Sequence, residues 1–389
     1  MTDQPAPAYG DPSINPTALA ERATLGTLLV DPAQIVAVQG FLRPADFVHV
    51  WHRNIYAAML TRQIAKDPIT PTDIHADLVA AGHPEENRRA VRLVELMEVP
   101  PARPKAARYA AMVLEASLRR QVRDLGSLLQ AGAVVAGADT TGHGDAHAGP
   151  FAEIEAQLRD AHQRWNAAAA GGAVAPITPD VKQLDVAAAH RTNVALRAAR
   201  LVDATTPLRA GQVLRAELNV LAAVLAVPSK LAAVRMRITG SLFTEATHLA
   251  TYAAICDLAD LGEPIDAITV CWQAQREQIL RGKGLDADAL LQLTIDPPAG
   301  DPGYHAGVMA DLATRTIADR CAQQLAVAAQ HPGITTADLL DTAGHHVAAV
   351  RRAIAGPQQS RPGSWSRPRH LQLVAAHQAS ASSSAGVSL

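Results

Sequence analysis

This chain of 389 residues has few cysteines and few aromatic residues, and its net charge is close to zero. The three cysteines, Cys256, Cys271 and Cys321, form no C-x-x-C pair, so the sequence predicts neither a disulfide framework nor a zinc site. A net charge of −2 offers no cationic excess of the kind that holds a whole chain on DNA phosphates or anionic lipid. Tight binding to DNA of any sequence is therefore not expected.

Signals for a membrane span or a leader peptide are also lacking. The chain has no run near the roughly eighteen apolar residues that a spanning helix needs, and its first residues lack a cationic stretch followed by an apolar core. Hydrophobic residues make up 48% of the chain, enough for a buried core in each of two or three domains. We expect a soluble globular protein of the reducing cytoplasm, with no membrane contact.

An internal repeat is the most informative feature that the sequence does contain. Residues 18–74 align without a gap with residues 214–270, and about fourteen positions are identical at this fixed spacing. The identical pairs include Glu21/Glu217, Leu29/Leu225, Pro32/Pro228, Phe47/Phe243, His52/His248, Tyr56/Tyr252 and Pro68/Pro264. One module is therefore used twice in the chain.

Both copies are predicted to be helical. Apolar residues recur at helical spacing, Pro and Gly stand where helices would begin or end, and Thr335 and Asp338 are spaced like a capping box. The predicted helices are Ala20–Val30, Val50–Ala65, Glu85–Met97, Lys105–Ala131, Phe151–Trp165, Leu214–Ala226, Leu242–Leu261, Gly303–Gln330 and Thr335–Ile354. The predicted fold class is all-α, with two tandem helical domains, each followed by a linker-like helix.

Composition sets the predicted domain boundaries. Gly-rich and Ala-rich stretches separate the copies, and the end of the chain is too rich in Pro, Gln and Ser to offset the entropy of ordering. The predicted segments are a disordered N-terminus at 1–17, a first domain at 18–135, a tether and amphipathic helix at 136–170, a linker at 171–210, a second, divergent domain with its trailing helix at 211–356, and a disordered tail at 357–389.

At several spaced points the first copy resembles the N-terminal domain of bacterial replicative DNA helicases of the DnaB type. The resemblance is carried by Ala20–Pro32, Leu42–Phe47 and His52–Met59, and by Pro101, Tyr109, Val113, Arg119 and Arg120 further along. The second copy is more divergent, since Gly240-Ser241-Leu242 stands where the first has Arg43-Pro44-Ala45-Asp46. Its membership depends mainly on the internal repeat.

The resemblance implies a role in assembly. In those helicases this domain pairs through helical hairpins into a collar, contacts primase and is joined by a linker helix to a RecA-like motor domain. We therefore expect an intrachain pseudo-dimer of the two hairpins. The residues expected to pair are Tyr109, Met112, Val113 and Ala116 with Tyr304, Val308, Met309 and Leu312.

Signals for catalysis are absent from the sequence. A phosphate-binding Walker loop needs Gly-Lys followed by Ser or Thr, whereas the only Gly-Lys, Gly282-Lys283, is followed by Gly284. His143 and His147 lie in a Gly-rich stretch without further ligands and are interpreted as loop residues. We predict no catalytic, cofactor-binding or metal-binding residues, and a protein that is not an enzyme.

Arginines offer a weak alternative signal for a partner or nucleic acid. Arg119 and Arg120 lie on the long predicted helix, where arginines more often cover apolar surface with their stems. The tail combines arginines with a tryptophan, a composition that suits a short linear motif or single-stranded DNA binding. The tail residues in question are Arg361, Trp365, Arg367 and Arg369.

The sequence thus predicts a non-catalytic accessory protein of DNA replication that binds a replicative helicase, a primase or both. Two alternatives stay open. One is a weak nucleic-acid-binding or DNA-maintenance protein of a mobile element, and the other is a degraded helicase paralogue.

Overall fold

Every regular element of the described chain is helical. The computed structural model describes residues 15–83, 90–99, 105–138, 148–171, 210–276, 287–295 and 297–355, and these contain helices and connecting turns but no strand. The predicted all-α fold class is confirmed. The predicted tail at 357–389 lies outside the described residues, as do nearly all of the predicted start and linker.

In the first copy, Pro residues open helices as the sequence predicted, and a Thr residue caps one of them. Thr70 accepts a hydrogen bond from the Asp73 amide at 3.2 Å and begins a helix that ends just before Gly82, whose φ is +69°. The α-helices are α1 (Pro16–Val30), α2 (Ile35–Val38), α3 (Val50–Ala65), α4 (Pro71–Ala80), α5 (Ala90–Met97), α6 (Ala106–Ala138) and α7 (Ala148–Ala169).

The second copy repeats this order. Thr335 accepts from the Asp338 amide at 3.2 Å and donates to its carboxylate at 2.6 Å, so the predicted cap is confirmed. The α-helices are α8 (Ala210–Ala226), α9 (Leu231–Arg235), α10 (Ala246–Leu261), α11 (Ala267–Arg276), α12 (Ala287–Ile295), α13 (Pro302–Gln330) and α14 (Thr336–Ala355).

Several predicted helix bounds are wrong. Helix α1 begins at Pro16 and not at Ala20, α8 begins at Ala210 and not at Leu214, and α7 extends from Ala148 to Ala169 and not from Phe151 to Trp165. The helix predicted to begin at Leu242 begins at Ala246, because Phe243 and Glu245 have extended backbone and the Thr244 amide donates to Glu217 instead of entering a helix. The helix predicted to end at Ala131 continues to Ala138, since Gly132 and Gly137 do not interrupt it. By contrast, the bounds of α3 are those predicted.

One pair of aromatic residues lies in the core of each copy. Phe47 and Tyr56 are fully buried with ring centroids 5.2 Å apart, and Phe243 and Tyr252 repeat this pair at 5.1 Å. Apolar side chains of α8, α10 and α13 surround the second pair. Each copy therefore has its own hydrophobic core around the same tilted aromatic pair.

The described chain divides into two compact units. Unit one combines the described parts of residues 1–128, 152–200 and 322–345, and unit two combines those of 129–151, 201–321 and 346–389. The division cuts α6 after Leu128 and α13 after Cys321 because helices of about 30 residues extend beyond one small core. The bounds 18–135 and 211–356 stay predictions about folding domains.

Among the described residues, no single helix is both long and apolar enough to cross a membrane. A pair bent by 114°, Gly211–Ala226 with Pro228–Arg235, passes the same test on length and composition only.

Candidate functional site

A buried Glu-His pair stands at the same position of each copy. His52 Nδ1 lies 2.7 Å from Glu21 Oε2, and His248 Nδ1 lies 2.7 Å from Glu217 Oε2. An ionised carboxylate can only accept, so each Nδ1 carries the proton. All four side chains are buried.

The same carboxylates also hold the chain just before the third helix of each copy. Glu21 accepts from the Val48 amide at 2.5 Å, and Glu217 accepts from the Thr244 amide at 2.6 Å. The Thr244 hydroxyl adds a second bond to Glu217, at 2.6 Å. Each pair therefore ties the first helix of its copy to the entry of the helix that carries the aromatic core residue.

Electrostatics favour a neutral His52 in the first pair and an ionised Glu217 in the second. Burial lowers the pKa of His52 below its ordinary value, and the bond to Glu21 opposes this only in part. Burial alone would raise the pKa of Glu217, but the bonds from His248 and Thr244 outweigh it and lower that pKa. The pairs are satisfied structural contacts, and neither opens onto a reacting group.

Asp46 is the centre of a second polar cluster, which only the first copy has. Its carboxylate forms a buried ion pair with Arg164 of α7 and accepts from the Ser117 hydroxyl at 2.7 Å. It also accepts from the Arg43 amide at 2.7 Å. Arg164 completes its own bonding by donating to the Phe41 carbonyl at 2.8 Å.

Arg43 adds a second ion pair to the same helix. Its guanidinium donates to both oxygens of Asp160, at 2.8 and 2.5 Å, in the two-pronged geometry that arginine and carboxylate favour. Arg43 and Asp46 therefore hold α7 against the first copy through Asp160 and Arg164, which lie one helical turn apart.

The second copy cannot form this cluster. Thr239, Gly240 and Leu242 align with Arg43, Pro44 and Asp46, so neither charge is present. Leu242 is buried instead and belongs to the apolar core. The sequence divergence noted at Gly240–Leu242 thus removes a specific docking contact for a helix.

Arg119 and Arg120 are engaged inside unit one. Arg120 donates to the Asp46 carbonyl at 2.6 Å. Arg119 donates to carbonyls at the end of α13 and just beyond it, which are those of Ala329, His331 and Ile334. Both guanidinium groups therefore bind backbone carbonyls of unit one. Contact of these arginines with a partner or nucleic acid stays a prediction.

Helices α6 and α13 come close together at two small residues of unit one. A Cβ atom built on Gly126 would lie 3.1 Å from both Cα and Cβ of Ala322. Within unit two, Gln130 of α6 donates to Asp319 of α13 at 3.0 Å. The glycine is needed here because a larger side chain would push the two backbones apart.

The residues predicted for hairpin pairing have mixed environments. Val113 and Met309 are buried, and Met309 belongs to the core of the second copy. Met112, Tyr304 and Val308 are exposed. Tyr109, Ala116 and Leu312 are half-buried. The pairing of this set stays a prediction, because its two halves belong to different units.

Several candidate residues lie outside the described part of the chain. These are His143, His147, Gly282, Lys283, Arg361, Trp365, Arg367 and Arg369. Within the described ranges, no three His, Cys, Asp or Glu side chains come together as metal ligands would.

Asp160 and Arg164 are the site residues that sequence reasoning missed. The available signal was their spacing, since opposite charges four residues apart flank Ala161 of the apolar stripe on α7. Such a pair normally indicates a solvated helix face. Only the tertiary structure shows that Arg164 points into the first copy.

Two stretches of the chain, residues 15–115 and 210–300, match the family model of the DnaB-like helicase N terminal domain. The replicative DNA helicase DnaB of Geobacillus stearothermophilus is 35% identical over 114 residues, which cover 29% of this chain and 25% of the relative. That of Mycobacterium leprae (strain TN) is 35% identical over 102 residues, which cover 26% and 17%. The crystal structure of the N-terminal domain of DnaB helicase from Mycobacterium tuberculosis is 30% identical and covers 35% of this chain and 96% of its own, with a TM-score of 0.32.

These matches fall on one domain of larger proteins. The chain spans a quarter or less of the length of the two curated relatives, and the matching family model is that of the N-terminal domain alone. The match over 210–300 is independent of the internal repeat on which the second copy's membership first depended. The chain therefore belongs to the DnaB-like helicase N-terminal domain family, and it carries that domain twice, with the second copy the more divergent.

Proposed function

We propose that this chain is a non-catalytic interaction protein of DNA replication, which binds a replicative helicase or a primase through its two DnaB-like domains. The observation that carries the proposal is the repetition of a helicase N-terminal domain within one chain. In this family the N-terminal domain serves contacts with helicase and primase. A chain with two such domains can occupy those contacts without contributing a catalytic group.

The two copies form a pseudo-dimer in this proposal. Its support is the contact between Gly126 and Ala322 in unit one, because these residues are 196 positions apart, the same offset that aligns residues 18–74 with 214–270, and are therefore equivalent in the repeat. A two-fold arrangement brings a residue into contact with its own equivalent near the axis. Joining both copies in one chain also raises their effective concentration to about the millimolar range.

The nucleic-acid alternative has less support. Arg119 and Arg120, the arginines that suggested it, donate to backbone carbonyls within unit one. The tail residues lie outside the described part of the chain. The remaining alternative, a degraded helicase paralogue, predicts a chain that binds no replication protein.

Direct binding measurements separate these three functions. The purified chain is immobilised and exposed to purified helicase and primase of the source cell, and separately to a single-stranded oligonucleotide at physiological and low salt. Saturable binding of helicase or primase supports the proposal. A salt-dependent interaction with the oligonucleotide alone favours the nucleic-acid function. Failure of all three partners to bind favours the degraded paralogue.

A further inference from the structure

The second copy exposes four large apolar side chains on two neighbouring helices. Ile268 and Trp272 of α11 are 75% and 66% exposed, and Leu291 and Ile295 of α12 are 42% and 69% exposed. We call these four residues the apolar face. Helices α11 and α12 contact each other within unit two.

The fold of the domain does not require this exposure. In the repeat, Ile268 and Trp272 align with Thr72 and Ala76 of α4 in the first copy. Both helices turn the same side toward the core, since Ile74 and Leu78 are buried in α4 as Val270 and Ala274 are in α11. The same surface position is thus small or polar in one copy and large and apolar in the other. Clustered apolar exposure of this kind marks a binding surface.

The spacing of the apolar face suits a helix as its ligand. Ile268 and Trp272 are four residues apart, as are Leu291 and Ile295, so each pair forms a ridge along its own helix. Axes of packed helices lie about 8–10 Å apart, so we expect a groove between the two ridges. An amphipathic helix fills a groove of this type with side chains spaced three or four residues apart.

The acidic residues near the apolar face indicate that the docked helix carries a positive charge. The described residues 257–276 and 287–295, which include both ridges, contain five carboxylates and one basic residue, a net charge of −4, and one of these carboxylates, that of Asp260, is paired with Arg235. Asp266 and Asp288 are exposed at the beginnings of α11 and α12. Acidic surroundings repel nucleic-acid phosphates and favour a partner with lysine or arginine beside its apolar stripe.

Area argues against a second copy of this chain as the occupant. A stable interface between folded proteins buries about 800 Å² on each partner. Four partly exposed side chains of at most roughly 250 Å² each supply about 600 Å² or less. A single docked helix matches this area better than a folded domain does.

We infer that the apolar face is a docking site for a cationic amphipathic helix of the helicase or primase. This inference rests on the proposed function and adds to it the location and chemistry of the contact. It also assigns the two copies different roles, because the first copy lacks the ridge formed by Ile268 and Trp272.

The test compares two matched double variants of the full chain. In I268Q/W272Q the ridge of α11 becomes polar, whereas in V91Q/V94Q two exposed apolar residues of the first copy, on α5, change in the same way. Binding of purified helicase and primase is measured by biolayer interferometry. We expect Kd to rise at least tenfold for I268Q/W272Q and less than threefold for V91Q/V94Q. Circular dichroism and thermal unfolding show that both variants fold.

Charge provides a second variant that keeps the apolar face intact. Asp288→Lys should weaken binding and reduce its dependence on salt, because it removes an attraction to the cationic helix. If the wild-type chain binds but I268Q/W272Q binds equally well, or both double variants lose equal affinity, the docking inference is overturned and the proposed function stands. If the wild-type chain binds neither helicase nor primase, both are overturned.

Discussion

Gly126 and Ala322 occupy equivalent positions of the two copies and face each other within unit one, where a Cβ atom on Gly126 would lie 3.1 Å from Ala322 Cα. Under two-fold symmetry only one position along a helix meets its own equivalent, and all other contacts join different positions. The pseudo-dimer that we propose therefore has its centre at Gly126, further along α6 than Met112 and Val113.

Replacing Gly126 by leucine should destabilise the chain by about 1–3 kcal/mol. The new side chain has no space beside the Ala322 backbone, and overpacking of this size has a cost in that range. Gly344→Ala in α14 is the matched control, because nothing lies within 4 Å of its Cβ position and alanine favours a helix by about 0.5–1 kcal/mol. Urea unfolding measures both changes. Equal stability of the Gly126→Leu variant and wild type would refute the close approach.

The ion pair between Asp46 and Arg164 should be essential for the docking of α7. Arg164→Met leaves the buried Asp46 carboxylate without its cation, which typically costs about 3–5 kcal/mol. Arg123→Ala is the control, because Arg123 and Asp124 are both more than half exposed and such pairs contribute about 0–1 kcal/mol. Chemical unfolding compares the two variants.

Limited proteolysis reports separately on α7. In the Arg164→Met variant, cleavage within residues 148–169 should become faster at a protease concentration that leaves the wild-type helix intact. Adding Asp46→Asn to this variant should restore part of the lost stability, because no buried charge is then left unpaired. If the loss of stability in the double variant equals the sum of the losses in the two single variants, Asp46 and Arg164 are not coupled.

Stability should fall as the pH falls below about 6.5, because of His52. Its pKa in the folded chain lies below the ordinary value of 6.5, so between these two values the unfolded chain binds a proton that the folded chain does not. Acid therefore favours unfolding, by at most about 1.4 kcal/mol per pH unit for one proton. Glu217 acts in the same direction at lower pH, since its lowered pKa stabilises the fold above the ordinary value of 4.5 and this contribution is lost below it.

Variants of single histidines identify the group that makes the stability of the chain sensitive to acid. Denaturant unfolding at several pH values between 7.5 and 5.0 should give a smaller slope for His52→Gln than for wild type, although the variant is less stable throughout. His345→Gln, on the exposed face of α14, should keep the wild-type slope. A wild-type slope in His52→Gln would show that other groups cause the acid sensitivity.

Much of the fold could be predicted from the sequence because its signals are local. The fixed offset between the copies paired Glu21 with Glu217 and His52 with His248, and the capping residues Thr70 and Thr335 act through neighbours three residues away. Local signals were insufficient at Leu242, where a tertiary bond from the Thr244 amide to Glu217 keeps the chain between Leu242 and α10 extended.

The docking of α7 could not be predicted in the same way. Asp160 and Arg164 have the spacing of a solvated pair, and their partners Arg43 and Asp46 lie more than 110 positions earlier in the chain. The resemblance drew attention to Arg43-Pro44-Ala45-Asp46 without showing what these charges hold. The exposure of Trp272 could likewise not be predicted from the sequence, because an apolar residue in a helix is usually expected to be buried.

The purified chain should neither bind nor hydrolyse ATP. Its only Gly-Lys sequence is followed by Gly284, so the hydroxyl that would hold magnesium beside the phosphates is missing. Calorimetry with ATP and magnesium should show no binding heat, and phosphate release should stay at the level of a mock purification. Turnover that follows the protein through purification and disappears on mutation within this chain would contradict the non-catalytic proposal.

The last prediction concerns assembly. If each chain supplies one pair of hairpins, three chains could close a six-domain ring like the collar of the helicases. The second copy lacks the Arg43 and Asp46 equivalents, a divergence that lies outside the hairpins and should weaken ring closure while sparing the internal pair. We therefore expect a monomer of 40.9 kDa that caps or blocks a helicase collar. Light scattering over a hundredfold concentration range decides this: a stable mass near three times the monomer would reject the capping role, whereas a monomer that binds the helicase and changes the helicase's own mass would support it.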